Sequence, residues 1–367
     1  MGEDAAPAPA TMRAWRTHAY GPPLEALQLD TVPVPEPGPG QVRVRVQAIP
    51  LNLNDLERIT GGPMLVEPQL PFAPGMEVFG IVEACGDGLD ARAWLGRRVA
   101  AMPLQAHGGY AERALCNAVS AFEVPASIPL PGAAALYFPF HLAWLGLVER
   151  ARLEPGEVVL VHAAAGGSGS AAVQLAKHLG ARVIATAGGP EKGELCRALG
   201  ADVVLDARAE GFASSGLVDA VLAATDGRGV DVVFDNVGEA LFEASVTATA
   251  YGGRYLLMGF ASNKAVADQP WIVPRRLLMA NISIGGVTLA YADEGTRSLV
   301  KAAMGGNLAS GEQGAAIMRS VVALVSDGAV APVVGKVVGF DDLPAAITAM
   351  ADRATTGRTI ALVEEGP

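Results

Sequence analysis

Short stretches in which apolar and polar side chains alternate dominate the first third of the chain. The clearest is Gln41–Gln47, in which three valines alternate with two arginines. Val78–Ala84 and Arg98–Met102 are further short apolar runs. Alternation with a period of two residues is typical of a strand that buries one face. The pattern therefore predicts a β-rich barrel or sandwich between Arg13 and about Leu130.

Near Pro131 the pattern changes to predicted helices alternating with predicted strands. Ala133–Arg150 is an apolar stretch of helical length. The strands that follow are predicted at Glu157–His162, Arg182–Thr186, Val203–Leu205, Val230–Asp235, Gly253–Met258 and Ile282–Val287. The helices between them are predicted at Ser168–Leu179, Glu191–Leu199 and Leu217–Thr225. This alternation predicts an α/β architecture with a doubly wound parallel sheet.

The last part of the chain, from about Ala292, is predicted to be mostly helical. It contains two short apolar segments, Val333–Val338 and Thr359–Val363. Both segments are too short to form a domain alone, so we expect them to return to the N-terminal β-rich unit. The sequence shows no internal repeat.

The composition limits the classes of function that the chain can have. Its 367 residues are enough for two domains with cores, and 51% hydrophobic against 18% charged residues is a globular composition. The net charge of −11, with no block of Lys and Arg, argues against a nucleic-acid partner or an anionic membrane surface. A local basic pocket for a phosphate is compatible with this charge. We therefore expect a small-molecule partner.

Cysteine usage and the N-terminus both favour the cytoplasm. Cys85, Cys116 and Cys196 are far apart and form no CxxC motif, so we expect reduced packing thiols and not reactive ones. Residues 1–11 lack the basic and apolar regions of a secretory signal, and we predict a flexible leader there. No apolar run reaches the length of a membrane span.

A glycine-rich loop joins a predicted strand to a predicted helix. Val158–His162 leads into Ala163–Gly169, which reads AAAGGSG. Aligned on the dinucleotide fingerprint, the glycine positions are Ala164, Gly166 and Gly169. Alanine fits the first if φ stays negative there, Gly166 lets the backbone approach a pyrophosphate, and Gly169 lets the helix pack on the strand. A purely structural turn is the alternative, but the repeated βα context favours a cofactor site that contains Ala164, Gly166, Gly167, Ser168 and Gly169.

The end of the next predicted strand distinguishes NAD from NADP. NAD-preferring sites usually carry Asp or Glu there, because a carboxylate binds the ribose 2′-hydroxyl. Here the position is Ala187, and Gly188 follows it. Lys192 is placed to meet a 2′-phosphate, although a solvated lysine in a first helical turn is the alternative. The missing acid predicts NADPH.

Seven segments together resemble a known family. In chain order they are Leu51–Asp55, Pro74–Val82, Gly96–Val99, Gly108–Glu112, His162–Gly169, Phe234–Gly238 and Gly252–Phe260. The chain resembles the zinc-free medium-chain dehydrogenases/reductases, specifically the NADPH:quinone oxidoreductase-like (zeta-crystallin-like) proteins. The resemblance implies a GroES-like β-barrel catalytic domain built from residues 12–134 and 292–367. It also implies a Rossmann NADPH-binding domain, residues 135–291, inserted between them.

The positions that match the zinc ligands of zinc alcohol dehydrogenases carry other residues. Those relatives have Cys where this chain has Asn52, and Gly-His-Glu where it has Gly75-Met76-Glu77. Asn and Met are poor ligands for a zinc ion that activates water. Val99–Cys116 contains one cysteine, so the four-cysteine zinc lobe is also missing. We expect no metal.

Without a metal to polarise a carbonyl oxygen, an acceptor that stabilises its own charge is favoured. A quinone or another conjugated carbonyl spreads the incoming charge onto a distant oxygen, so we expect NADPH-dependent reduction of such an acceptor. One alternative is a reductase of activated alkenes: enals, enones or enoyl thioesters. A second is a low-turnover NADPH-binding sensor or structural protein. Asn281–Thr288 is a predicted sheet-edge strand, and with the resemblance it predicts a homodimer.

The resemblance also suggests catalytic candidates. It places Asn52 and Asp55 at the nicotinamide end of the cleft, where Asn52 hydrogen-bonds cofactor or substrate and Asp55 acts there or as a structural cap. It places Tyr137 and His141 at the cleft as well. His141 is a candidate proton donor, with a buried structural histidine as the alternative.

Two further consequences follow from the resemblance. Many relatives have a tyrosine in the segment that reads Gly61-Gly62-Pro63 here, and its loss argues against an enoyl-thioester reductase. The remaining cofactor candidates follow sheet strands or precede the last strand, and they are Asn236, Gly259, Phe260 and Arg358.

Overall fold

The structure, a computed structural model, describes residues 10–62, 67–260, 263, 266, 269–352 and 355–364. The chain divides into two compact units, each built from more than one segment. Unit 1 comprises residues 1–126, 337–354 and 360–367, and unit 2 comprises residues 127–336 and 355–359. The predicted leader lies outside the described residues as far as residue 9, and the first strand already begins at Thr11.

Unit 1 consists mainly of antiparallel strands. Its strands are β1 (Thr11–Thr17), β2 (Leu27–Pro33), β3 (Gln41–Pro50), β4 (Val78–Cys85), β5 (Arg98–Pro103) and β6 (Arg113–Glu123). Its first helices are α1 (Pro23–Ala26), α2 (Leu53–Thr60) and α3 (Ala91–Trp94). β3, β4, β5 and β6 pair in that order, and β3 also pairs with β6, so these four strands close on themselves. The predicted β-rich barrel is confirmed.

The alternation that predicted β3 is matched by its burial. Val42, Val44 and Val46 are at most 3% exposed and point into the barrel core, while Arg43 and Arg45 between them are half-buried. This core also contains Ile49 and residues from the C-terminal segments of the chain. The period-two pattern therefore reports one buried face.

Helix α2 lies in a stretch where the sequence pattern predicted only strands and turns. The helix starts after Asn52, and Asp55 in its first turn accepts from the Asn52 backbone N–H, as in a capping box. It ends at Gly61, whose φ of 78° is the left-handed conformation that favours glycine. These local signals outweigh the surrounding strand pattern.

Unit 2 alternates strands and helices. Its strands are β7 (Val158–Val161), β8 (Arg182–Ala187), β9 (Val203–Asp206), β10 (Val230–Asp235), β11 (Thr249–Leu257), β12 (Ser283–Gly286), β13 (Tyr291–Ala292) and β14 (Ala309–Ser310). Its helices are α4 (Tyr137–Trp144), α5 (Gly167–His178), α6 (Pro190–Ala198), α7 (Leu217–Ala224), α8 (Glu239–Thr247), α9 (Pro274–Ala280), α10 (Glu294–Met304) and α11 (Gly311–Ser326). The remaining elements of the chain are β15 (Val334–Gly339), α12 (Leu343–Ala351) and β16 (Arg358–Leu362).

The main sheet of unit 2 is parallel and has six strands in the order β12-β11-β10-β7-β8-β9. The first strand, β7, is central, and the chain adds strands outward first on one side and then on the other. This is the doubly wound order of dinucleotide-binding sheets. All four residues of β7 are buried, as expected for a central parallel strand covered on both faces. The predicted parallel α/β sheet is confirmed, and β12 lies at one edge.

The unit boundaries differ from those predicted. Residues 292–336 were assigned to the GroES-like domain, but they cluster with unit 2. The reason is tertiary packing, since Ile317, Met318 and Val321 on α11 are at most 2% exposed and α11 packs on α4. Gln313 on α11 also donates to Glu149. A helical pattern predicts that a helix forms but not which unit receives its apolar face.

The three cysteines are free thiols. Cys116 and Cys196 are buried and Cys85 is half-buried. Burial raises the pKa of Cys196 to about 11 and raises the pKa of Cys116 as well, so both are poor nucleophiles. In the part of the chain described above, no helix combines the length and apolar character that crossing a bilayer requires.

Candidate functional site

The glycine-rich loop runs from the end of β7 into the first turn of α5. Gly166 N–H donates to Ala163 O at 3.0 Å, and Ser170 N–H donates to Gly166 O at 2.9 Å. Ala164 N–H donates to Thr186 O on β8 at 3.0 Å. The loop is thus held by its own backbone and by the neighbouring strand. The start of α5 combines N–H groups with the positive end of a helix dipole, which suits a phosphate.

The three fingerprint positions meet different geometric demands. A Cβ on Gly169 would lie 2.3 Å from Ala163 O and 2.7 Å from Ala164 Cα, so no larger residue fits without moving the backbone. A Cβ on Gly166 would have only Ala163 O within 4 Å, at 3.3 Å, so the protein leaves this place open. Ala164 is buried and does not have positive φ, which meets the condition for alanine. Positive φ, 51°, falls on Ala163 instead.

Arg358 places a buried positive charge on this loop. It belongs to the short C-terminal segment of unit 2, in which Gly357 N–H donates to Ala165 O at 2.7 Å. Arg358 is 5% exposed, and its Cδ lies 2.7 Å from where a Cβ on Gly167 would be. Ser168, the next residue of α5, is half-buried. An arginine here offers paired N–H donors that match the geometry of a phosphate.

The end of β8 has no acidic side chain. Ala187, its last residue, is buried, and Gly188 follows. Lys192 lies in the first turn of α6 and is half-buried. Arg208 was not predicted as a site residue, and its Nε lies 3.2 Å from where a Cβ on Gly188 would be. It gave no local signal, because Arg208 reaches Gly188 only through the pairing of β8 with β9.

The loops after β10 and β11 contact each other closely. A Cβ on Gly238 would lie 2.8 Å from Gly259 O, and a Cβ on Gly259 would lie 3.0 Å from Asn236 O. Phe260 is half-buried, and its ring centroid is 6.5 Å from that of Trp271. Asn236, Gly259 and Phe260 are therefore together at the carboxyl edge of the sheet, where ligands of such sheets bind.

A buried polar layer beneath this edge was not predicted. His162 Nδ1 and Thr186 Oγ1 are 3.2 Å apart, and His162 Nε2 and Ser245 Oγ are 2.8 Å apart. Burial lowers the pKa of His162. Tyr255 O–H donates to Asp235, whose carboxylate also accepts backbone N–H groups after β10. The contacts of His162 join the end of β7 to β8 and to α8, and the contact of Tyr255 joins β11 to the end of β10.

In unit 1, Asn52 and Asp55 belong to one buried cluster. Asn52 Nδ2 donates to Glu77 Oε2 at 3.1 Å. Asp55 is fully buried and accepts from the N–H groups of Asn52 and Met76 at 2.9 Å and from Tyr110 O–H at 3.2 Å. Burial raises the pKa of Asp55 to about 6 against the opposing effects of Arg58 and these hydrogen bonds. The carboxylate is committed to capping α2 and holding Met76, which favours the structural alternative.

Asn52 and Met76, at the positions of zinc ligands in zinc alcohol dehydrogenases, make other contacts in this protein. The Asn52 amide nitrogen donates to Pro50 O at 3.2 Å as well as to Glu77, and a nitrogen that donates these bonds does not ligate a metal. Met76 is 5% exposed. Within the described ranges, no group of three or more His, Cys, Asp or Glu side chains is arranged to hold a metal ion.

Tyr137 and His141 lie in a buried aromatic cluster of unit 2. Both are fully buried on α4, with ring centroids 4.8 Å apart in an edge-on arrangement. His141 Nδ1 and Tyr291 Oη share a hydrogen bond of 2.8 Å. Burial lowers the pKa of His141 to about 3, so the imidazole is neutral at pH 7. Tyr291 was not predicted, because 150 residues separate the two partners.

Two family models match the chain, one in each half. "Alcohol dehydrogenase GroES-like domain" matches residues 38–150, and "Zinc-binding dehydrogenase" matches residues 167–303. The quinone oxidoreductase of Homo sapiens is 30% identical over 231 residues, which are 63% of this chain and 66% of that protein. A mycocerosic acid synthase-like polyketide synthase of Mycolicibacterium smegmatis is 36% identical over 185 residues, 50% of this chain and 8% of that protein. The matched region thus spans less than two thirds of either relative.

A solved structure extends the similarity to nearly the whole chain. Mycobacterial Rv1454c complexed with NADPH has a TM-score of 0.80 at 29% identity, covering 96% of this chain and 99% of that one. The barrel of unit 1, the doubly wound sheet of unit 2 and the two family matches agree with this likeness. The chain belongs to the medium-chain dehydrogenase/reductase superfamily, and within it the chain is similar to quinone oxidoreductase-like proteins.

Proposed function

We propose that this protein is an NADPH-dependent oxidoreductase that transfers a hydride to a quinone or another conjugated carbonyl acceptor without a metal ion. The observation that carries the proposal is the loop at the end of β7, with buried Arg358 lying on Gly167. When bound, NADPH supplies the hydride. The similarity to a quinone oxidoreductase and to a structure complexed with NADPH supports the same activity.

The residues of unit 2 fit the parts of a dinucleotide. The loop from Ala164 to Gly169 and the Arg358 guanidinium would bind the pyrophosphate, since Gly166 leaves the backbone accessible. Ala187, Gly188 and Lys192 would hold the adenosine ribose and its 2′-phosphate. Asn236, Gly259 and Phe260 would orient the nicotinamide end, because they gather where β10 and β11 end.

The side chains at the zinc-ligand positions of unit 1 support a hydride acceptor that needs no metal. The Asn52 amide is held by Glu77 and Pro50, and Met76 offers a thioether, so neither reproduces a zinc-activating ligand. An electron-poor carbonyl conjugate carries the charge of an incoming hydride on its own oxygen. The task left to the protein is orientation and the exclusion of water.

The four catalytic candidates divide by their chemistry. The Asn52 amide oxygen can accept a hydrogen bond from the cofactor, because its nitrogen already donates to Pro50 O and Glu77, and Asp55 positions the turn that carries it. Tyr137 and His141 are packed against each other, and neutral His141 has no imidazolium proton to give at pH 7. We therefore propose Asn52 and Tyr137 as polar contacts and assign Asp55 and His141 positioning roles.

One second activity has specific support. The polyketide synthase relative makes reduction of an activated alkene, including an enoyl thioester, the other candidate reaction. It uses the same hydride but requires a proton for the adjacent carbon. The loss of the tyrosine at the segment Gly61-Gly62-Pro63 argues against this alternative, and Pro63 itself lies outside the described residues.

We also propose a cytosolic homodimer. β12 is an edge strand whose residues carry no charge, and uncharged edges are open to pairing with a second copy. A few residues before β12 in the chain, Leu278 and Met279 are 72% and 70% exposed. Tyr251, on the neighbouring strand β11, is 87% exposed. An apolar surface beside an open edge suits an isologous contact. Three free thiols are consistent with a reducing compartment.

Acceptor choice tests the proposed activity directly. Purified protein is expected to oxidise NADPH with 1,4-benzoquinones and 1,2-naphthoquinone, more slowly with simple enones, and not with ethanol or acetaldehyde as partner. Prior dialysis against a chelator should leave the rate unchanged. A preference for crotonyl thioesters would favour the alkene reductase, and tight NADPH binding without any turnover would favour the sensor.

Gly166→Ala separates ligand contact from protein packing. The added Cβ meets only Ala163 O at 3.3 Å, so we expect a thermal midpoint within a few degrees of the wild type but NADPH affinity lowered about tenfold or more, because the backbone no longer approaches the pyrophosphate. Calorimetric titration with NADPH measures the affinity of the wild type and of the variant. Gly169→Ala is the contrasting change, since its Cβ would be 2.3 Å from Ala163 O, and we expect loss of stability as well. Unchanged NADPH affinity in Gly166→Ala would contradict the assignment.

The neutral state of His141 predicts a pH-dependent stability. As pH falls from 7 to 5, an ordinary histidine in the unfolded chain takes up a proton while His141, with a pKa of about 3, does not. The unfolded state therefore binds more protons, and this group lowers the free energy of unfolding by about 2 kcal/mol over that range. Urea unfolding is measured at both pH values. The difference in free energy of unfolding between wild type and His141→Gln should shrink by this amount as the pH falls. A constant difference, or an imidazole NMR titration midpoint near 6, would count against it.

The dimer is tested by changing the apolar surface beside β12. Light scattering after size exclusion is expected to give twice the chain mass of 37.6 kDa for wild type and a single chain mass for Leu278→Glu. Leu299→Glu is the matched control, because Leu299 on α10 is 68% exposed and lies away from the edge strand in sequence. A monomeric wild type, or the same mass for both variants, would refute the proposed interface.

A further inference from the structure

The connection after β9 reaches across to the end of β8. Ala187 and Asp206, the last residues of these strands, are register partners. Ala207 N–H then donates to Ala187 O at 2.8 Å. The turn that follows β9 is therefore fixed against the point where β8 gives way to α6. This is the place where a Rossmann sheet receives the ribose of the adenosine half.

The side chain of Asp206 joins the two connections. Its Oδ1 accepts from Gly189 N–H at 3.0 Å and from Arg208 N–H at 2.9 Å. These two donors lower the pKa of Asp206. Its carboxylate thus holds the backbone of Arg208 beside the start of α6. Asp206 therefore serves to fix the backbone at Gly189 and Arg208.

The guanidinium of Arg208 covers the two glycines after β8. A Cβ on Gly188 would lie 3.2 Å from Arg208 Nε, and a Cβ on Gly189 would lie 3.0 Å from Arg208 Nη1. Gly189 has φ of 90°, so a side chain is disfavoured there in any case. The space that side chains would fill at the end of β8 is occupied by a positive charge from the neighbouring strand. Arg208 itself is exposed, and within the described ranges it makes no ion pair.

We propose that Arg208 is the residue that makes this site select a 2′-phosphorylated adenosine, as in NADPH, over its 2′-hydroxyl counterpart. The proposal rests on the proposed function, because it assigns a residue to that same cofactor site. The guanidinium fork pairs with a phosphate through parallel N–H donors and has no comparable bond to a hydroxyl group. Selectivity then comes from the turn after β9, with Asp206 positioning it.

Binding measurements without turnover test this assignment. Calorimetric titrations with NADPH, NADH, 2′,5′-ADP and 5′-ADP are made on wild type, Arg208→Gln and Arg182→Gln. Arg208→Gln is expected to weaken NADPH and 2′,5′-ADP by about 10- to 100-fold, the loss of a charge-assisted contact, and to leave NADH and 5′-ADP within about twofold. Arg182→Gln is the control, since it removes the same charge from the opposite end of β8.

The outcomes separate this inference from the proposed function. An unchanged NADPH-to-NADH affinity ratio in Arg208→Gln overturns the role of Arg208 while the oxidoreductase proposal stands. The same holds if Lys192→Ala abolishes the preference and Arg208→Gln does not. Loss of the preference for NADPH over NADH in Arg208→Gln supports the role of Arg208, even if the wild type reduces no acceptor. A wild type that reduces no acceptor would contradict the proposed activity and not the role of Arg208. A wild type that binds none of the four nucleotides overturns both.

Discussion

Helix α5 starts directly after β7, the central strand of the parallel sheet, and this close packing is possible because residue 169 is a glycine. Any Cβ at Gly169 would overlap the backbone of Ala163 and Ala164. Because that contact is possible, the loop stays short and its N–H groups gather at the end of β7. Arg358 can then rest on Gly167, and Ala164 can bond to the end of β8. The loop geometry assigned to the pyrophosphate therefore depends on this close approach.

The two buried acid–base groups that the resemblance singled out are both held in structural arrangements. Asp55 accepts three hydrogen bonds within unit 1, and His141 is neutral in an aromatic cluster of unit 2. Groups that are committed in this way have little capacity to transfer a proton. The proposed hydride transfer, whose difficulty lies in orientation more than in acid–base catalysis, does not require them to do so. The chemistry of the acceptor then matters more than that of any one side chain.

Much of this architecture could be predicted from periodicity, and the reasons for the failures are physical. The alternation in β3 and the βα series of unit 2 are repeated signals, so the sheet and its loop were predictable. Helix α2 was missed because one cap and one glycine outweigh a strand-like neighbourhood. Arg208, Tyr291 and Glu77 were missed because each meets its partner only after distant segments fold together. Residues 292–336 were expected in the GroES-like domain and cluster with unit 2, because the packing of α11 against α4 arises only when the chain folds.

The short segment from residue 355 to 359 has an architectural consequence. The stretch 127–336 is continuous and contains the whole parallel sheet, yet Gly357 and Arg358 come from beyond it. A gene fragment encoding that stretch alone would lose the backbone bond to Ala165 and the charge on Gly167. The continuous stretch therefore lacks one segment of the unit that contains the candidate cofactor site. Recombination that exchanges this whole unit between relatives has to include residues 355–359 as well.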